Sequence, residues 1–391
     1  MLTTIAGFDR IGEENAFAVL ARATELAGAG RDIINLGIGQ PDFPTPPHIV
    51  EAAVTALREG HHGYTPATGI LPLREAVATD VERRTGAAVS PERVLIVPGG
   101  KVTMFAAILM FGEPGVDILY PDPGFPIYRS MIEFTGARPM PIPIREDNAF
   151  AFSAEETLGL ITPATRLMIL NSPANPTGGV TPQEEIARLV EGLAAFPDVA
   201  ILSDEIYGQM TYDGAVHHSL MSYPQIRDRV ILLDGWSKTY AMTGWRLGYS
   251  VWPEGLYDKV RKLAVNAWSC VNAPTQWAGL AALTGPQDCV SEMVGAFDER
   301  RKVIVDGLNA LPGVSCLMPA GAFYAYANIS KTGWKAKELA SALLEEAGVA
   351  TIGGPDFGVL GEGYMRLSYA NSTENISRAI ERMDGFLKKN T

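Results

Sequence analysis

The 391-residue sequence predicts an α/β protein with a large domain on a mostly parallel, doubly wound sheet and a smaller α+β domain. Short apolar runs that do not alternate with polar residues recur through the middle of the chain, which is typical of strands buried on both faces. Stretches with helical periodicity lie between these runs. The pattern changes beyond about residue 290, where alternating strands and longer helices indicate a second, smaller domain.

The first 290 residues contain the N-terminal segment and the predicted elements of the large domain. A helix is predicted over about 13–28, and the Gly- and Pro-rich residues 33–48 then form an extended segment that crosses between domains. A further helix is expected over 182–196. The buried strands are predicted within 93–99, 116–122, 166–173, 199–207, 229–237 and 246–252.

The smaller domain follows from the last hundred residues. Helices are expected over 291–310, 335–348 and 373–389, with apolar strand segments in 313–329 and 363–370. We expect the N-terminal segment to pack with this part of the chain. The predicted boundaries are therefore 46–290 for the large domain, and 1–45 with 291–391 for the small domain.

Composition excludes several classes of protein. The formal net charge of −12 argues against a nucleic-acid-binding surface, which needs a basic patch. Three cysteines without CxxC spacing make a disulfide framework or a zinc site improbable, so a cytoplasmic location and no bound metal are expected. The apolar stretch 102–112 is too short to span a bilayer, and the N-terminus lacks the pattern of a signal peptide.

Polar residues follow four of the predicted strands at the point where each strand ends. These exits are 98–104, 171–179, 204–207 and 235–246. In open parallel sheets, ligands bind beyond the carboxyl ends of the strands, so we expect the four exits to form one site.

The exit after the fifth predicted strand combines an amine with anion-binding groups. Arg246 and Ser237, together with backbone N–H groups at a helix N-terminus, are suited to a phosphate. Lys238 lies among aromatic and small residues, where its amine is suited to imine formation with an aldehyde.

The neighbouring exits add groups for an aromatic ring. Asp204 could keep a pyridine nitrogen protonated, and Asn175 and Tyr207 could hydrogen-bond a phenolate oxygen. A phosphate anchor, an amine for an aldehyde and a partner for a ring nitrogen are the requirements of pyridoxal 5'-phosphate.

Seven motifs resemble the signature runs of the class I/II aminotransferases, which are fold-type I pyridoxal-phosphate enzymes. They occur in the expected order and are most similar to the aspartate-aminotransferase-like branch: LGIGQPDFPTP (36–46), GYTPATGILPLREAV (63–77), PGGK (98–101), SPANPTGG (172–179), DEIYG (204–208), SKTYAMTGWRLGY (237–249) and GYMRLSYA (363–370). The resemblance implies an enzyme that moves an amino group between an L-amino acid and a 2-oxo acid such as 2-oxoglutarate. It also implies a homodimer with shared active sites.

The resemblance implies roles for the residues around the cofactor ring. Lys238 matches the lysine that binds the cofactor aldehyde covalently and carries the proton between the substrate and the cofactor. Asp204 matches the partner of the ring nitrogen. Asn175 and Tyr207 match the residues that hydrogen-bond the ring oxygen, and Phe125 lies where an aromatic residue stacks on the ring.

The phosphate is implied to have ligands from both subunits. Ser237 and Arg246 match phosphate ligands, and Gly100 and Lys101 match positions that donate backbone N–H groups. Tyr64 matches a tyrosine that reaches the cofactor phosphate of the other subunit.

Substrate-binding residues are also implied. Arg366 matches the arginine that grips the α-carboxylate, Gly39 matches a backbone position beside that carboxylate, and Asn175 is expected to contact the substrate as well. Lys101 occupies the place of a lysine that binds the distal carboxylate of dicarboxylic substrates in some bacterial members. The alternative for Lys101 is a lysine in the first turn of a helix that points to solvent.

The choice of amino donor stays open. Gly124 and Phe125 stand where related aspartate enzymes carry a Tyr–Trp pair, and no arginine lies in 266–276, where another branch has one. Aspartate, aromatic and broad specificity are therefore all compatible with the sequence. The alternative reaction is β-elimination by a C–S lyase. A distant alternative is an effector-sensing aminotransferase-like module. A DNA-binding extension is expected ahead of such a module, but here the Gly–Gln–Pro run begins by residue 39. The acidic charge also disfavours DNA binding.

Overall fold

The computed structural model describes residues 2–390. Within this range the strands are β1 (Ile34–Asn35), β2 (Val94–Val97), β3 (Asp117–Asp122), β4 (Arg138–Pro143), β5 (Thr165–Asn171), β6 (Ala200–Asp204), β7 (Val230–Gly235), β8 (Gly248–Val251), β9 (Ser315–Cys316), β10 (Tyr324–Asn328), β11 (Val349–Ala350), β12 (Ile352–Gly353) and β13 (Tyr364–Ser368).

The helices alternate with these strands and cover both sides of the main sheet. Within the described range the α-helices are α1 (Gly7–Arg10), α2 (Asn15–Gly28), α3 (Pro47–Arg58), α4 (Leu71–Thr85), α5 (Lys101–Phe111), α6 (Ile127–Thr135), α7 (Ala154–Gly159), α8 (Gln183–Gly192), α9 (Trp236–Thr239), α10 (Glu254–Ala267), α11 (Ala273–Thr284), α12 (Asp288–Ala310), α13 (Ala336–Ala342) and α14 (Thr373–Asn390). None of the helices found in residues 2–390 has the length and apolar character needed to cross a membrane.

The large sheet has the strand order β2-β8-β7-β6-β5-β3-β4. Its strands from β7 to β4 are parallel, whereas β8 is antiparallel to both β7 and β2. Because β8 is antiparallel to both of its neighbours, β2 runs in the same direction as β7. The carboxyl ends of β2, β5, β6 and β7 therefore lie at one edge of the sheet, and the predicted α/β fold with a mostly parallel sheet is confirmed.

Side chains of each central strand enter two separate hydrophobic layers. Ile201 belongs to the layer beneath α3, α4, α8 and α11, whereas its neighbour Leu202 belongs to the layer beneath α5, α6 and α10. Both residues are completely buried. This two-sided burial explains why the strands appear in the sequence as continuous apolar runs.

One strand of the large sheet was not predicted from the sequence. Strand β4 has the sequence RPMPIP and, within residues 2–390, pairs only with β3, at the edge of the sheet. Proline cannot donate to a strand ladder, so a proline-rich strand is compatible only with such an edge. The same prolines hide the strand from a search for apolar runs.

The C-terminal part of the chain forms a four-stranded antiparallel sheet in the order β12-β13-β10-β9. Phe297 and Ile304 of α12 and Phe323 beside β10 are buried in its core. The N-terminal segment contacts both parts of the protein. Strand β1 pairs with β11, but the ring of Phe8 in α1 packs edge-on against Phe134 in α6, with centroids 5.5 Å apart. The predicted domain boundaries stay a prediction.

Candidate active site

A cavity of about 550 Å³ lies at the carboxyl ends of the parallel strands. Eleven of the twelve predicted site residues line it: Gly39, Gly100, Lys101, Phe125, Asn175, Asp204, Tyr207, Ser237, Lys238, Arg246 and Arg366. The twelfth, Tyr64, is 94% exposed and does not line the cavity. The four strand exits thus meet in one place, together with Arg366 from β13 and the crossing segment around Gly39.

Lys238 lies on α9, a single helical turn that follows β7 directly. The indole of the buried Trp236 donates to the carbonyl of Gly279 at 3.0 Å and so anchors this turn. The Lys238 Nζ donates to the carbonyl oxygen of Gly39 at 2.5 Å. Burial, with the positive charge of Arg366 as the next cause, lowers the pKa of Lys238 to about 8. The neutral amine, which is the nucleophilic and basic form, is therefore more populated than for an exposed lysine.

Asp204 ends strand β6 and is 2% exposed. Its Oδ2 accepts a hydrogen bond from the Tyr128 hydroxyl at 2.5 Å, and its Oδ1 accepts one from the backbone N–H of Ile206 at 3.3 Å. Burial raises the pKa of Asp204 to about 7. No cationic side chain in residues 2–390 forms an ion pair with it. A buried carboxylate of this kind is suited to a ligand that brings a cationic N–H group.

A chain of hydrogen bonds joins the exits of β5 and β6 to β13. The Asn171 amide donates to the backbone carbonyl of Asp204 at 3.0 Å, and its Oδ1 accepts from the backbone N–H of Asn175 at 2.9 Å. The Asn175 Oδ1 in turn accepts from Nη1 of Arg366 at 3.0 Å. The positions of Asp204, Asn175 and Arg366 are therefore coupled.

Arg366 is 2% exposed, and its guanidinium lies close to two aromatic rings. The distances from Cζ to the ring centroids are 4.6 Å for Tyr324 and 4.7 Å for Phe357. Nη2 donates to the carbonyl of Gly37, whereas the buried Nε has no hydrogen-bond partner in the described part of the chain. A buried guanidinium with an unused donor beside a cavity is suited to a carboxylate ligand.

Tyr207 and Tyr324 share a hydrogen bond between their hydroxyl oxygens, 2.7 Å apart. Burial raises the pKa of the Tyr207 hydroxyl well above its usual value, so this group stays protonated and can donate. A Cβ added at Gly39 would lie 2.3 Å from the Tyr324 hydroxyl oxygen, so the crossing segment requires glycine at this position.

Arg246 is placed by an uncommon backbone conformation. Its φ is 55°, in the left-handed region, and its Nη1 donates to the carbonyl of Thr243 at 2.8 Å. Gly99, with φ of 94°, lies against the same guanidinium, and a Cβ there would be 2.1 Å from Nη2. The absence of a side chain at Gly99 therefore leaves the space that Arg246 occupies.

The beginning of α5 completes an anion-binding corner. Gly100 precedes the helix and Lys101 is its first residue, so their backbone N–H groups have no intrahelical acceptor. Both residues line the cavity with Ser237 and Arg246. Helix N-termini and a guanidinium together favour a phosphate.

The side chain of Lys101 is paired within the protein. Its ammonium forms an ion pair with the carboxylate of Glu14, at the start of α2. The same Nζ lies 5.1 Å from the ring centroid of Phe17 and 5.3 Å from that of Phe125. Lys101 thus lies among charged and aromatic groups at the cavity and does not simply extend into solvent.

Among the cavity residues that the sequence did not predict are Glu14, Phe17, Tyr128 and Tyr324. Tyr128 lies three residues after Phe125, one helical turn further on, so the motif that contains Phe125 could have revealed it. Nothing in the sequence pattern marks Glu14, because its partner is 87 residues away.

Comparisons with known proteins agree on one family. A family model described as aminotransferase class I and II matches residues 31–383. An aspartate aminotransferase of Geobacillus stearothermophilus is 37% identical over 377 residues, which cover 95% of each chain. Aromatic-amino-acid aminotransferase 2 of Thermococcus litoralis is 36% identical, over 93% of this chain and 94% of the relative. The crystal structure of an aspartate aminotransferase from Rhizobium meliloti superposes with a TM-score of 0.94 at 32% identity, over 99% of each chain.

Proposed function

Because this chain belongs to the class I and II aminotransferases, an enzyme family that transfers amino groups between amino acids and 2-oxo acids, we propose that its cavity binds pyridoxal 5'-phosphate. The observation that carries the proposal is that one cavity holds two buried groups whose pKa values are shifted in opposite directions. Lys238 has a lowered pKa of about 8, and Asp204 has a raised pKa of about 7 and no cationic partner among the described residues.

The residues of the cavity fit the cofactor group by group. Arg246, Ser237 and the N-terminus of α5 would hold the phosphate, and Asp204 would pair with the protonated ring nitrogen. Tyr207, together with Asn175, would hydrogen-bond the ring oxygen. The volume of about 550 Å³ lies in the usual range for ligand pockets, roughly 300–1,000 Å³. When bound, pyridoxal phosphate supplies an aldehyde and a ring that withdraws electrons from the substrate Cα.

Lys238 is the proposed proton carrier. Its Nζ takes the proton that leaves the Cα of the amino acid, and its lowered pKa leaves more of the amine in the basic form at neutral pH. The hydrogen bond from Nζ to the Gly39 carbonyl holds the side chain within the cavity. Asp204 keeps a positive charge at the ring nitrogen, where it stabilises the negative charge that develops on deprotonation of the substrate.

Arg366 is the proposed α-carboxylate ligand. Its guanidinium is held by Asn175 and by the Tyr324 and Phe357 rings, so it is oriented before the substrate arrives. A bidentate contact to the carboxylate fixes the Cα close to Lys238. The aromatic residues that surround Arg366 exclude water and strengthen this contact.

We also propose a homodimer in which Tyr64 reaches the cofactor phosphate of the partner subunit. The high exposure of Tyr64 supports this, since its ring makes no use of the cavity of its own chain. Exposed apolar side chains near the N-terminus, including Leu2, Ile5 and Phe8, support an apolar surface for a partner. The expected cytoplasmic location is part of the same proposal.

The central test is reconstitution with pyridoxal phosphate followed by replacement of Lys238. The wild-type protein should gain a visible absorption band and transfer amino groups to 2-oxoglutarate, whereas Lys238→Ala should lose both. Lys331→Ala removes an exposed lysine far along the chain and should change neither. A wild-type protein that stays colourless after reconstitution contradicts the proposal. Release of pyruvate and ammonia from cysteine conjugates, without amino transfer, would instead support the lyase.

A further inference from the structure

The first turn of α2 forms one wall of the cavity. Glu14 and Phe17 line it beside Lys101 and Phe125. Lys101 is the first residue of α5, where the helix dipole is positive and an ammonium group is unfavourable. An anion close by stabilises an ammonium at this position, and Glu14, whose side chain is 16% exposed, supplies it from within the chain.

Contacts at the start of α2 fix the position of Glu14. It is the N-cap residue of α2, yet its side chain accepts no hydrogen bond from the N–H groups of that helix. The carboxylate is directed to Lys101 instead of capping its own helix. The next residue, Asn15, donates to Asp356 at 2.7 Å, and this contact ties the start of α2 to the loop after β12.

On the basis of the proposed function, we propose that Glu14 determines substrate choice by neutralising Lys101 from within the protein, so that amino acids with uncharged, aromatic or aliphatic side chains are preferred over dicarboxylic ones. A distal carboxylate that approaches Lys101 must displace Glu14 or lie beside a second negative charge. An aromatic or alkyl side chain packs against Phe17, Phe125 and Met104 without disturbing the ion pair.

The test measures binding of two unreactive carboxylates to the cofactor-loaded enzyme by calorimetry. Succinate carries a distal carboxylate, and 3-phenylpropanoate carries a ring. Glu14→Gln removes the charge and keeps the shape of the side chain. It should tighten succinate binding about tenfold or more, because the variant no longer places a negative charge beside the distal carboxylate. Binding of 3-phenylpropanoate should change by less than about twofold.

A matched control is available next to Glu14. Glu13 is exposed and forms no ion pair within residues 2–390, so Glu13→Gln removes the same charge and should leave both affinities unchanged. The gain in Glu14→Gln should disappear in the double variant with Lys101→Met, since the dicarboxylate then has no cation to bind.

Two results would overturn the inference. One is an unchanged ratio of the two affinities in Glu14→Gln, and the other is a wild-type enzyme that already binds succinate more tightly than 3-phenylpropanoate. Both results leave the proposed function intact if the visible band and amino transfer are present. Loss of the band in the wild-type enzyme would instead contradict the proposed function itself, so the two failures are distinguishable.

Discussion

Replacing Asp204 with asparagine should make the cofactor-free protein less sensitive to rising pH. Burial raises the pKa of this carboxyl from 3.8 to about 7, so the folded chain holds a proton that the unfolded chain releases. The stability from this proton is fully present below about pH 4 and is lost as the pH rises through about 7. Asparagine does not titrate, so the variant has no such loss.

The size of the effect follows from the pKa difference. At pH 8 the raised pKa corresponds to on the order of 4 kcal/mol of lost stability, and at pH 5 to roughly 2 kcal/mol. Asparagine offers one oxygen to the two donors that now bind separate carboxylate oxygens, Tyr128 and Ile206. That penalty, about 1–3 kcal/mol, is the same at both pH values. The variant should therefore gain about 2–3 kcal/mol relative to the wild type between pH 5 and pH 8.

The assay is urea unfolding of the cofactor-free wild type and Asp204→Asn at both pH values. Asp306→Asn, which replaces an exposed aspartate, is the control. Cofactor should remove the pH sensitivity of the wild type, because a cationic ring nitrogen pairs with the carboxylate. A difference in unfolding free energy between wild type and Asp204→Asn that is equal at pH 5 and pH 8 would refute the reasoning.

Three further predictions concern residues proposed to act in substrate or cofactor binding. Arg366→Lys removes the planar fork and should raise the KM for amino and 2-oxo acids roughly 10- to 100-fold with the visible band unchanged; steady-state kinetics with an unaltered KM would contradict this. Gly99→Ala places a Cβ 2.1 Å from Nη2 of Arg246 and should weaken cofactor binding by about tenfold or more. An equilibrium titration that gives the wild-type affinity would show that Arg246 does not hold the phosphate. Tyr64→Phe should weaken cofactor binding without changing the dimer, measured by the same titration and by sedimentation; a monomeric wild type that binds cofactor fully would exclude the shared site.

The fold could be predicted largely because burial on two faces leaves a strong mark in the sequence. The six apolar runs correspond to β2, β3, β5, β6, β7 and β8. The direction of β8 could not be predicted, since an antiparallel strand inside a covered sheet is as apolar as its parallel neighbours. Strand β4 escaped prediction because its alternating prolines are tolerated only at an edge, and edge position is a property of the assembled sheet.

Some residues of the candidate site could likewise be predicted from the sequence, and others could not. Residues that follow strands could be found because parallel topology brings strand ends together, as for Asp204 and Lys238. Glu14 precedes α2 near the N-terminus, and Tyr324 begins β10 in the C-terminal part of the chain. Their contacts at the cavity depend on how these two parts pack against the large sheet. Such contacts are tertiary and have no periodic signature.

The carbonyls of the crossing segment have a consequence for turnover. The Gly37 carbonyl holds the Arg366 guanidinium, and the Gly39 carbonyl holds the Lys238 amine. A substrate carboxylate that binds Arg366 replaces the Gly37 carbonyl as one hydrogen-bond partner, so the net gain in affinity is smaller than the new charged contact alone would give. The Gly39 carbonyl likewise accepts from the Lys238 amine whenever that amine has no other partner. The two glycine carbonyls therefore keep both side chains hydrogen-bonded within the cavity between one ligand and the next.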